Sequence, residues 1–145
     1  MQNITIKVLG PDDAPVLAQV RDDVFDNPVI PAQAAAFLAS DLHCMVVALD
    51  GNQVIGMASA VTMLHPDKEP MVFINEVGVH DDYQCRGVGK KLTELLIKTV
   101  NPKSDRDVWL ATEEDNTAAR ALYRSLKARE TKGVVVYDWG HAMDD

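Results

Sequence analysis

The stretch that most constrains this chain is residues 71–100, where the spacing of apolar side chains changes from two to three or four. Residues 71–79 suit a strand, whereas Val88, Leu92, Leu95, Leu96 and Thr99 share one helical face, with Lys90, Lys91, Glu94 and Lys98 lying away from it. Pro102 stops that helix near Val100. The joint between the two elements is Gln84-Cys85-Arg86-Gly87-Val88-Gly89-Lys90. A helix start leaves four amide N–H groups without an internal partner. Gly87 and Gly89 carry no side chain to block those amides, and Arg86 and Lys90 add charge beside the positive helix end. The combination makes a cradle for a diphosphate. The plainer alternative is a glycine-containing turn before an ordinary helix. The spacing is not the dinucleotide fingerprint, whose third glycine would fall at Leu92, and Lys90 lacks the following Ser or Thr of a P-loop.

The flanking sequence predicts a strand over residues 3–9 and a helix over 13–25, where Val16, Leu17, Val20 and Val24 recur at helical spacing. Asp26-Asn27-Pro28 breaks the chain, and a short helix follows from Pro31 to Ala39. Residues 43–49 and 53–64 form a hairpin around Asp50-Gly51-Asn52. A short strand is expected over 108–112 and a helix over 116–128, with Ala119, Leu122, Tyr123 and Leu126 inward. Residues 134–139 are expected to close the sheet. These 145 residues are expected to make a single α/β domain.

A formal charge of -8 repels phosphate backbones, so nucleic acid is not an expected partner, whereas a cationic ligand is drawn in. No run approaches the ~18 apolar residues of a membrane span, so no membrane partner is expected. Residues 1–10 lack the basic and apolar segments of a secretory signal. Cys44 and Cys85 suit two free thiols in a reducing cytoplasm. Four scattered histidines without ligand spacing give no metal site.

The strand, the Gln84-x-x-Gly87-x-Gly89 turn and the amphipathic helix together resemble the acetyl-CoA motif of the Gcn5-related N-acetyltransferases. The downstream strand, followed by Asn116, Ala119, Leu122 and Tyr123, is similar to the same family, and the likeness covers nearly the whole chain. Ala128 departs from the pattern, standing where many members have glycine. The resemblance implies a mixed central sheet of six to seven strands flanked by about four helices. It implies acetyl-CoA as cofactor, held by Val77, Gly78 and Val79 along its pantetheine arm and by the amides around Cys85, Arg86, Gly87, Val88, Gly89 and Lys90 at its pyrophosphate. Asn116 and Tyr123 would approach from the other side, and a homodimer is plausible for a small member.

Direct acetyl transfer needs a neutral amine, a polarised carbonyl and a proton for the departing thiolate. Glu76 is the candidate base, because an acid in an apolar strand is costly unless it meets solvent, a partner or a substrate. Simple alternation puts Ile74, Glu76 and Gly78 on one face and Phe73, Asn75, Val77 and Val79 on the other. Pairing of Glu76 with a base across the sheet is its bland alternative. The amide of Val79 or Val77 is the candidate oxyanion donor. Tyr123 matches the family's tyrosine beside the coenzyme A sulfur, while its residue-level alternative is a packed core aromatic. Residues 64–79 and Val135-Val136-Tyr137-Asp138 resemble the small aminoglycoside 3-N-acetyltransferases, implying a multiply charged amine substrate. Asp22, Asp23, Asp26, Glu76 and Asp138 are the candidate acceptor-binding acids. Glu113-Glu114-Asp115 is more simply a solvated run, with Asp115 able to cap the last helix.

Overall fold

Strand-forming runs separated by short turns build most of the molecule, and the computed structural model describes residues 3–144. Strands β1 (Ile4–Val8), β2 (His43–Asp50), β3 (Gln53–Met63) and β4 (Met71–Val79) pair in that order, each antiparallel to the next. The β2–β3 turn uses Gly51 at φ 60°, a left-handed conformation that costs glycine little. β5 (Val108–Trp109) then runs parallel to β4, after the crossover through helix α2 (Val88–Val100). Helices α1 (Pro31–Ala39) and α3 (Thr117–Ser125) complete the α-helices, with 3-10 turns at Ala14–Ala18 and Asp81–Tyr83.

The sheet is buried on both faces. Val88, Leu92 and Leu96 of α2 pack on Val46, Ala48, Ile55, Ala58 and Val72. Leu17, Val24 and Leu38 cover the opposite face, against Met45, Val47, Val54 and Met57. Full burial of a leucine contributes roughly 1.5–3 kcal/mol, so the α2 stripe anchors the helix start beneath the glycine loop. Gly56 permits the close approach: a Cβ there would lie 3.1 Å from Leu92 Cδ1.

Several sequence expectations give way. The sheet has five strands among the described residues, not six to seven, and there are three α-helices where about four were expected. The helix expected over 13–25 is reduced to the Ala14–Ala18 turn, because Val20 is captured as a parallel bridge to Val54. Val54 N–H donates to Gln19 C=O (2.8 Å), and Arg21 N–H donates to Val54 C=O (2.9 Å). Leu17 and Val24 are still buried, so the apolar spacing marked core positions rather than a continuous helix. The last helix stops at Ser125; Lys127 adopts φ 65° and Ala128 N–H donates back to Tyr123 C=O (3.1 Å). Residues 134–139 do not join the sheet and are exposed.

One irregularity re-aims the site. Ser59 pairs with Glu76 but Ala60 pairs with Ile74, so Asn75 is an extra residue in β4. The bulge reverses alternation beyond it. Val72 and Ile74 face α2, as do Val77 and Val79, whereas a Cβ on Gly78 would point at Val24 on the opposite side. The grouping of Glu76 and Gly78 with Ile74 is therefore overturned: only Glu76 and Gly78 share the face covered by residues 23–26.

Candidate active site

β4 and β5 pair at only two positions, Val72 with Val108 and Phe73 with Trp109. Beyond them the strands part, which is why the strand expected over 108–112 ends at Trp109. The gap is a cleft of about 400 Å³. One wall is β4 from Ile74 to Val79; the other comprises Leu110, Ala111, Thr112, Asn116, Ala119 and Tyr123. Asp23, Val24 and Asp26 line it as well.

The edge of β4 presents backbone groups to this cleft. His80 N–H donates to Ile55 C=O (2.8 Å), so the peptide groups of residues 80 and 78 turn towards β3. By alternation those of Val77 and Val79 turn the other way, where no strand follows. Gln84 confirms the direction for Val79, its Nε2 donating to the Val79 carbonyl (3.0 Å) and to Asp81 Oδ1 (3.1 Å).

The glycine loop adjoins the same end of β4. Gly87 caps α2 at φ 79° and Cys85 sits at φ 61°, so the backbone turns left-handed twice within three residues. Lys91 N–H is the amide that bonds back to Gly87 C=O (3.1 Å), leaving those of Val88, Gly89 and Lys90 at the open helix end. Gln84, Cys85, Arg86 and Gly87 are exposed, whereas the Val88 side chain belongs to the core. Sequence reasoning missed how firmly this loop is held. Buried Tyr83 donates its phenol to Asp50 at the β2–β3 turn, and that bond, with burial, pushes the phenol's pKa up. Arg21 pairs with Asp82 (3.6 Å), and the Arg86 guanidinium lies 5.6 Å from the Tyr83 ring centroid. An aromatic in an otherwise polar loop was the available signal. His80 caps the 3-10 turn, its Nδ1 accepting from Asp82 N–H (3.1 Å).

Glu76, Tyr123 and Val79 line the cleft together. Burial pushes the Glu76 carboxyl above its ordinary value, and the negative charge of Asp26 pushes it further. Burial alone raises the Tyr123 phenol. Asn116, rather than Asp115, caps α3, its side chain accepting from Ala119 N–H (3.1 Å). Of the acceptor-side acids, Asp23, Asp26 and Glu76 meet in the cleft. Asp22 is not among its lining residues, and Asp138 lies in the exposed tail, accepting from Met143 N–H (3.0 Å).

The model of the Acetyltransferase (GNAT) family matches residues 15–127. This chain is a member of the GNAT acetyltransferase family. N-alpha-acetyltransferase RimI of Mycobacterium tuberculosis is 32% identical over 125 residues, spanning 85% of this chain and 77% of the relative. Aminoglycoside N(6')-acetyltransferase type 1 of Salmonella typhimurium is 26% identical, over 73% of this chain and 76% of its own. A solved aminoglycoside acetyltransferase from an uncultured soil metagenomic sample, in complex with trehalose, superposes with a TM-score of 0.82 at 22% identity. That match covers 94% of this chain and 95% of the other and shows the shared fold. As a GNAT N-acetyltransferase the chain uses acetyl-CoA as its acetyl donor. Among the described residues, no helix is long and apolar enough to cross a membrane.

Proposed function

We propose that this chain transfers acetyl directly to a primary amine of a compact, multiply charged acceptor, an aminoglycoside being the substrate class to test first. The observation that carries the reading is the meeting of Glu76, Asp26 and Asp23 on the side of the cleft opposite α2, beside the outward-facing backbone of Val77 and Val79. An acidic wall of this kind recognises several ammonium groups at once.

The donor site fits its ligand on two counts. Unpaired strand-edge backbone groups at Val77 and Val79, on either side of Gly78, can pair with the amides of a pantetheine arm. The open helix end from Gln84 through Cys85, Arg86, Gly87, Val88 and Gly89 to Lys90 suits a pyrophosphate. Gly89 adds a sharper argument: a Cβ there would meet Leu122 at 3.6 Å and Val79 at 3.8 Å, ordinary contacts, so the fold does not require glycine. A ligand approaching the backbone does. Asn116 and Tyr123 close the far side.

Bound acetyl-CoA supplies an electrophilic thioester carbonyl and a thiolate leaving group. Glu76, made more basic by burial and by Asp26, takes the proton that the acceptor's ammonium must lose, directly or through water. The Val79 amide, fixed by the strand, stabilises negative charge developing on the carbonyl oxygen. Tyr123, held protonated by its burial, gives a proton to the departing sulfur. The pair of free thiols, Cys44 and Cys85, suits a reducing compartment such as the cytoplasm.

The sequence points to the 3-amino group, whereas the aminoglycoside enzymes whose names give a position carry 6', so both amines are the positions to map. A second reading, acetylation of a protein's terminal amine, draws on the 32% identity with the RimI enzyme. Acetylation of kanamycin-like compounds, spermidine and short peptides, with the product mapped, separates the two. Turnover of peptides alone would replace the aminoglycoside reading and leave the donor site standing.

A further inference from the structure

Residues 84–87 have little of their own to hold them in one shape. All four are exposed, and Cys85 takes a left-handed φ of 61° without the freedom of a glycine. The ion pair that joins Asp82 to Arg21 stands in water, with the Asp82 side chain 69% exposed, so it holds weakly. The bond from Gln84 Nε2 to Val79 C=O is made by an exposed side chain, where water competes for the same groups.

Tyr83 is the exception. It is 4% exposed and belongs to the core that α2 shares with β2, β3 and β4. Its ring meets that of His80, the residue after Val79, edge-on at 6.0 Å. The Arg86 guanidinium lies over the same ring. Its phenol donates to the Asp50 carboxylate, 33 residues away in the chain. A part-buried bond to an ionised acceptor belongs to the stronger class of hydrogen bond. One side chain therefore touches the end of β4, the glycine loop and the β2–β3 turn together.

We infer that Tyr83 and Asp50 are positioning residues that hold residues 86–90 in the shape that receives a pyrophosphate, and so set the preference for a donor that carries one. The inference rests on the reading of that loop as the pyrophosphate site. A loop already in its bound shape loses no donor affinity to being ordered. Removing the phenol's bond leaves the ring in the core but lets the loop sample other shapes, and a pyrophosphate must then order it. A donor fragment that stops at the pantetheine arm does not reach the loop and is indifferent to the change.

Coenzyme A and pantetheine, which lacks the pyrophosphate and the nucleotide, are titrated into the ¹⁵N-labelled full chain, so no acceptor is needed. In the parent, coenzyme A is expected to shift the amide signals of residues 86–90 and to bind more tightly than pantetheine. Tyr83→Phe and Asp50→Ala are each expected to weaken coenzyme A about tenfold while pantetheine stays within about twofold. The double variant is expected to be no weaker than either single one, because both remove the same bond. Asp50→Asn keeps an acceptor oxygen and is expected to restore coenzyme A affinity to within about threefold of the parent. Equal weakening of both ligands would mark a structural role only and overturn the inference, as would unchanged affinity for coenzyme A or equal losses in Asp50→Ala and Asp50→Asn. Those results leave the loop as the pyrophosphate site. Unshifted amides at 86–90 in the parent would instead remove that reading and the inference with it. Asp50 lies at a hairpin turn outside the core, so its variants carry the test even where Tyr83→Phe fails to fold.

Discussion

At the level of single residues, Glu76 and Tyr123 face different demands. The folded protein raises the Glu76 pKa, so ionising it at neutral pH works against folding. That cost is absent below the ordinary carboxylate range, where folded and unfolded chains both carry the proton, and it grows as pH rises until the folded carboxyl also ionises. Glu76→Gln is therefore expected to unfold at a higher temperature than the parent at pH 7 and at nearly the same temperature near pH 3. The same change should lower kcat/KM by about 10²–10⁴-fold, most where the acceptor amine is protonated. A thermal scan paired with a pH–rate series tests both halves, and equal turnover across the series would remove Glu76 from the chemistry. Tyr123→Phe keeps the ring and deletes the hydroxyl. It should lower kcat about 100-fold with little change in acceptor KM, because the proton is needed only as the sulfur departs.

Elements set where these residues can stand, and here the sequence was legible in part. β4 and α2 were readable to the residue or nearly so, because a period of two and a period of 3.6 are local properties. The Asn75 bulge was not readable, since nothing in its side chain marks an extra residue whose existence depends on the pairing with Ser59 and Ala60. The bulge decides which face Glu76 occupies. Nor could periodicity show that residues 19–21 would leave a helix to bond with Val54. That capture lays the following segment across Gly78, where a Cβ would sit 2.3 Å from the Val24 carbonyl oxygen. Gly78→Ala must displace backbone, so it should cost about 1–3 kcal/mol, seen as a lower unfolding temperature. It should also raise acceptor KM more than donor Kd, because Asp23 and Asp26 move with Val24. Gly89→Ala is the opposite case. The methyl group has room and favours the helix by up to about 1 kcal/mol, yet it stands where the donor is proposed to approach. Calorimetry should find a protein at least as stable with acetyl-CoA affinity about tenfold weaker; unchanged affinity would move the pyrophosphate elsewhere.

The molecule as a whole carries a formal charge of -8, and the cleft's acids lie in that field. Two electrostatic effects act on a polycationic acceptor and can be told apart. The long-range field draws it in, and salt screens that field over a Debye length of about 10 Å at 0.1 M. The proposed contacts of Glu76 and Asp26 with an ammonium inside the cleft would act at short range, where salt penetrates less. Raising salt from low to physiological strength should therefore depress kcat/KM for a polycationic acceptor while leaving kcat at saturation nearly unchanged. The slope should flatten for an acceptor with one amine, because fewer charges feel the field. Neutralising the peripheral Lys7-paired acid Asp13 should alter the slope slightly, whereas Asp26→Asn should raise KM and also lower the Glu76 pKa by removing its negative neighbour. Steady-state rates at several salt concentrations, for the parent and Asp26→Asn, measure all of these quantities. A monoamine and a polyamine with the same salt slope would mean that the acidic surface serves solubility rather than recognition, and the acceptor class would then have to be argued from the shape of the cleft alone.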